Sequence, residues 1–110
     1  MNNLFFTPEF KRSLARLSKK YRSLRADIQP LLDELVDGKT PGDRLQISGA
    51  ILYKVRLKNS DANRGKRGGY RVIYYLKTRQ ETILITLYSK TEQADISTGE
   101  IQSIVDKVLS

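Results

Sequence analysis

The chain has 110 residues and carries 20 Lys and Arg against 12 Asp and Glu, a formal charge of +8. That length holds one domain, residues 1–110, around a single core, and that charge calls for a polyanionic partner: nucleic acid, an acidic protein or an anionic membrane surface. With no Cys and no His, disulfides, Cys/His zinc sites, thiol nucleophiles and histidine acid–base chemistry are excluded, leaving Lys, Arg, Tyr, Glu and Asp for any catalysis.

In chain order, Asn3 to Phe6 is short, apolar and aromatic and predicts a strand. Thr7-Pro8-Glu9 supplies an N-cap, a first-turn proline and a first-turn acid. The helix that follows repeats Phe10, Leu14, Leu17 and Tyr21 on one stripe, with Lys11, Arg12, Arg16, Lys19, Lys20 and Arg22 over the rest of its surface. Ser23 reads as the cap of a second helix with Ile28, Leu31, Leu32, Leu35 and Val36 on one face and Gly38 as its stop. Pro30 predicts a kink or a late start there. The two helices should form an antiparallel hairpin. The break at Lys39-Thr40-Pro41-Gly42-Asp43 is followed by alternation. Ile51 to Leu57, Tyr70 to Lys77 and Thr82 to Tyr88 predict an antiparallel meander, with Thr78 to Glu81 as a hairpin turn and room for an extra short strand near Leu45 to Ile47. Ser97-Thr98-Gly99-Glu100 is a capping box that opens a short helix on Ile101, Ile104, Val105 and Val108. The expected class is α+β, in the order β-α-α-β-β-β-α, with an N-terminal helical hairpin and a short C-terminal helix. MNNLFFTPEF is no signal peptide and no apolar run reaches bilayer length, so a cytoplasmic protein without a membrane partner is expected.

Alternation sends Tyr53, Val55 and Leu57 towards the helices and Lys54, Arg56 and Lys58 to the other face. Arg64, Lys66, Arg67 and Arg71 follow, and Asp61 is the only acid between Lys54 and Arg71. Neighbouring cations repel by roughly 1 to 4 kcal/mol depending on the dielectric. A solvated face is the plain explanation for scattered lysines; the clustering here points to a phosphate site. Gly65, Gly68 and Gly69 provide either a turn with positive φ or close backbone approach to a ligand. No Walker pattern is present and no helix follows these glycines, so the phosphate belongs to a nucleic acid. Tyr75 falls on the face of Arg71, and Tyr74 falls with Tyr70 and Val72. At the end of the last strand Tyr88, Lys90 and Glu92 place a phenol, an ammonium and a carboxylate, each able to move a proton.

GKRGGYRVIYY from Gly65, LITLYSKTEQADIS from Leu84 and the element order resemble the RelE/ParE superfamily of bacterial toxins, most closely its HigB-like branch. The resemblance implies a toxin of a type II toxin–antitoxin system that enters the ribosomal A site and cleaves mRNA there, an endoribonuclease expected to need no metal and no cofactor. The family's basic strand positions match Lys54 and Arg56, its strand-opening arginine matches Arg71, and its last-strand motif matches Tyr88, Lys90 and Glu92. Thr91 and Ile96 stand where some RelE-type members carry an arginine and a tyrosine, and the histidine of others has no counterpart, which leaves the general acid open. Cleavage by the 2′-OH needs a base, cations around the phosphorane and an acid for the 5′-oxygen. Arg71 and Arg56 are assigned to charge stabilisation, Lys54 and Lys90 to proton transfer with Glu92 as rival base, and Lys58, Arg64, Lys66 and Arg67 to nucleic-acid binding. The implied partners are the ribosome, through 16S rRNA and A-site mRNA, and a cognate antitoxin of helix-turn-helix type (HigA-like) through which alone operator DNA is met. ParE-like relatives act instead on DNA gyrase, and a non-catalytic RNA-binding domain is the third reading.

Overall fold

In the computed structural model, which describes residues 2–62, 68–93 and 95–109, the elements follow as β1 (Asn3–Phe6), α1 (Pro8–Lys20), α2 (Leu24–Val36), β2 (Asp43–Ile47), β3 (Ala50–Leu57), β4 (Tyr70–Thr78), β5 (Glu81–Ser89) and α3 (Thr98–Leu109). They build an α+β fold on one five-stranded sheet in the order β1-β5-β4-β3-β2. The meander β3-β4-β5 is antiparallel, as expected from the short turn between its last two strands. Two strands extend it at its edges. β1 joins β5 in parallel, from Asn3 opposite Glu81 to Phe6 opposite Leu84. β2 pairs with β3 through the two-residue turn Ser48-Gly49, whose φ angles of 49° and 84° are the left-handed conformations that a tight hairpin needs.

Thr7 fastens the first helix to the sheet. Its hydroxyl accepts from the Phe10 N–H at 3.0 Å as an N-cap and donates to the Ile85 carbonyl at 2.6 Å, while its own N–H reaches the Leu84 carbonyl at 3.1 Å. α2 runs unbroken from Leu24 with Pro30 inside it, so the late start expected from that proline does not occur. Ser23 makes no side-chain cap; its N–H donates to the Asp61 carboxylate at 2.5 Å. At α3 the predicted cap is made, with Ser97 Oγ accepting from the Glu100 N–H at 3.1 Å. No helix among the described residues is long and apolar enough to cross a membrane.

Both faces of the sheet are covered. Phe10, Leu17, Leu24, Leu31 and Leu35 of the first two helices pack on Val55, Tyr70, Val72, Tyr74 and Leu84. On the opposite face Ile101, Ile104 and Val105 of α3 pack on Leu52, Ile73, Tyr75 and Ile85. This explains why Tyr70 to Tyr75 of β4 and Thr82 to Ser89 of β5 are buried without a break and do not alternate strictly: where a central strand is covered on both sides, the side chains of both faces are enclosed. α3 leaves the Lys54 end of that second face to polar groups.

Candidate functional site

Strand register brings the predicted cations into rows. Arg56 on β3 lies opposite Arg71 on β4, which lies opposite Tyr88 on β5; directly opposed residues share a face. One row along, Lys54 lies opposite Ile73, on that same face. Arg56 is exposed, because β2 pairs with β3 only as far as Lys54. Arg71 departs from expectation. As the second residue of a strand enclosed between β3 and β5 it is only 5% exposed, and its guanidinium donates to the Tyr70 carbonyl at 3.1 Å. Alternation alone assigns it to the charged face with Lys54 and Arg56; sheet position, which periodicity does not report, buries it.

Lys54 does not sit among cations alone. Its ammonium donates to both oxygens of Asp95, at 2.8 and 2.9 Å. Oδ1 of the same carboxylate also accepts from the Tyr88 hydroxyl and, at 3.0 Å, from the Ile96 N–H. The hydrogen bonds from Lys54 and then Tyr88 hold the Asp95 carboxyl well below the usual carboxylate range. Burial, followed by the bond to Asp95, pushes the Tyr88 phenol above its ordinary value, against the nearby charge of Arg71. Asp95 was absent from the expected site. Its only signal was an acid in the family-like segment that ends in ADIS, and nothing in periodicity shows that the chain after β5 turns back to the middle of β3.

The remaining expected residues divide. Glu92 faces α1, where Arg16 holds it at 2.8 Å and Lys20 at 3.6 Å; the Arg16 hydrogen bond above all keeps its carboxyl low, which weakens it as a base. The Lys90 N–H donates to the Gly69 carbonyl at 2.9 Å, tying the end of β5 to the start of β4. Lys58 is exposed just beyond β3. Arg64, Lys66 and Arg67, with Gly65, lie outside the described residues. Asp61, the one acid of the cationic stretch, is spent on the start of α2. Tyr74 is core, stacked on Tyr53 at 5.3 Å and donating to the Pro41 carbonyl at 2.5 Å, and Tyr75 is buried on the α3 side. Among the described residues no group of three or more acidic side chains is placed to hold a metal ion.

Gly69 needs neither of the two explanations offered for it. Its φ is not positive, and a Cβ there would stand 1.9 Å from the Leu57 carbonyl oxygen. The glycine lets β4 begin in contact with β3.

Three phenols, Tyr70, Tyr74 and Tyr88, have folded-state values raised above the ordinary 10.0, each first by burial. A raised folded value means that the native state holds its proton more tightly than the unfolded chain. Their contribution to stability is therefore complete below pH 10 and is lost as pH rises beyond it. Chemical denaturation followed from pH 8 to 11 should show unfolding free energy falling steeply above about pH 10, with a shallower fall in Tyr88→Phe.

Residues 5–108, from β1 through α3, match the family model described as the RelE toxin of the RelE/RelB toxin–antitoxin system. The match spans Lys54, Arg56, Arg71, Tyr88 and Asp95 together.

Proposed function

The chain belongs to the RelE toxin family, and on that premise we propose that it is a ribosome-dependent endoribonuclease that cleaves mRNA in the A site and is silenced by a cognate antitoxin. The observation that supports this most is the row Arg56, Arg71, Tyr88 across three adjacent strands, with Lys54 one row away on the same face. Two guanidiniums, an ammonium and a protonated phenol share one face of the sheet, and such a set of donors is what a phosphorane requires.

In the proposed reaction the RNA 2′-oxygen bonds to the adjacent phosphorus while the bond from phosphorus to the 5′-oxygen breaks. The charge that builds on the non-bridging oxygens is met by Arg71 and Arg56. Lys54, on β3, is assigned the proton that goes to the departing 5′-oxygen, and Lys90 is assigned the proton of the 2′-OH. Glu92 could replace Lys90 only after leaving Arg16. Lys58, Arg64, Lys66 and Arg67 hold the nucleic-acid backbone. The antitoxin is proposed to carry a helix-turn-helix domain and to bring the pair to its operator.

Adding the purified protein to a translating bacterial extract and mapping mRNA 5′ ends tests this reading. New ends should appear inside translated codons and vanish when initiation is blocked. Intact mRNA in an extract that the protein nevertheless binds would leave the RNA-binding reading standing and remove the enzymatic one.

A further inference from the structure

The Asp95 carboxylate sits where the reaction just described needs a phosphate. Oδ1 receives an ammonium from β3, a phenol from β5 and a backbone N–H from its own loop, and that convergence of donors is what an RNA phosphate oxygen would seek. Donors and acceptor are held very differently. Tyr88 is 3% exposed within a strand, and the Lys54 side chain is 25% exposed on another. The Asp95 side chain is 52% exposed and stands in the connection between β5 and α3, outside any helix or strand. The acceptor can therefore leave while both strands stay in place, and a half-exposed ion pair is a weak one. Lys54 and Asp95 themselves form part of the wall of a cavity of about 330 Å³ that Leu45, Ile47, Ile73 and Ile96 line with apolar surface and Gln46 and Thr98 with polar groups, a mixed floor such as a nucleoside attached to a bound phosphate would use.

We propose that Lys54 and Tyr88 form an anion seat that Asp95 fills in the free protein, and that an RNA phosphate takes the seat by displacing the Asp95 carboxylate. The inference rests on the RNA-cleaving reading for the identity of the anion, not for the seat itself. Asp95 is then a built-in counter-ion. It relieves the repulsion among Lys54, Arg56 and Arg71 while no substrate is present, keeps the Tyr88 hydroxyl oriented into the site, and lowers the affinity of the toxin for RNA until a correctly placed phosphate competes for both donors. A cationic protein that bound every transcript through an open site would be trapped away from its target; a self-filled seat reduces that loss.

The test is equilibrium binding of a short 2′-O-methyl RNA, which cannot be cleaved, to the isolated protein over a range of salt concentrations. Asp95→Asn keeps the shape and an acceptor oxygen but removes the charge. It should bind about tenfold tighter than wild type, with the log–log salt slope steeper by about 0.7, the value for one further phosphate contact on a single strand. Lys54→Ala should abolish that gain in the double variant, and Asp33→Asn, which makes the same charge change on α2, should move affinity less than about twofold. Should Asp95→Asn fail to fold, Asp95→Ser is to be read in its place. Unchanged affinity and slope in a folded Asp95 variant overturn the proposal, and so does a gain that survives Lys54→Ala or that Asp33→Asn reproduces. Because the RNA cannot react, coupling between Asp95 and Lys54 would uphold the seat even if the translating extract showed no cleavage.

Discussion

Arg71→Met is expected to stay folded, with a melting temperature within a few degrees of wild type, while mRNA cleavage falls about a hundredfold or more. Arg71 is 5% exposed and lies opposite Arg56 on one side and Tyr88 on the other, in the middle of the proposed site. Methionine restores most of the lost packing but not the bond to the Tyr70 carbonyl, a loss of about 1 kcal/mol that corresponds to only a few degrees in melting temperature. What disappears is the guanidinium, and one preorganised charge contact to a transition state is worth on the order of 3 kcal/mol. Arg71→Ala is the less informative change: it loses the same bond to the Tyr70 carbonyl and leaves a void besides, so activity and stability should drop together. Cleavage at the wild-type rate in a folded Arg71→Met protein would take this residue out of the chemistry.

Gly69→Ala should act on the fold. A Cβ there would lie 1.9 Å from the Leu57 carbonyl oxygen and 3.0 Å from the Asn59 nitrogen, and both are backbone atoms that no rotamer change can move. Relief requires the start of β4 to shift off β3, which disturbs the pairing of Leu57 with Tyr70 and the bond from the Lys90 N–H to the Gly69 carbonyl. The expected loss is about 3 kcal/mol or more, a fall in melting temperature of roughly 12 °C for a chain of this size. Thermal unfolding of the variant measures it directly. A protein that melts within about 2 °C of wild type would show that the approach of the two strands has slack.

Much of this was legible beforehand because it is local. Thr7, Pro8 and Glu9 mark the start of α1, and Thr7 does cap it. Ser97 caps α3 from the box in which it was read. Alternation placed Tyr70, Val72 and Tyr74 on the helical face, and they join that core. The turn of β2 and β3 was written as Ser48-Gly49 but was overshadowed by the stronger break at Pro41-Gly42. The parallel attachment of β1 to β5 had no such mark, since nothing in a four-residue apolar strand names its neighbour.

The sequence by itself determined the types and order of all these elements but β2, for which it left only room, the run of cations at Lys54, Arg56 and Arg71, and membership in a toxin family through motifs that lie close together along the chain. These rest on spacing, capping and charge, which act over a few residues. Only the tertiary structure decided which side chains are buried and which charges meet. Being enclosed between β3 and β5 buries Arg71; the return of the chain after β5 sets Asp95 against Lys54, 41 residues away; and the docking of α1 draws Glu92 to Arg16, 76 residues away. A carboxylate follows the nearest cation in space, and distance in space is what a linear pattern does not contain.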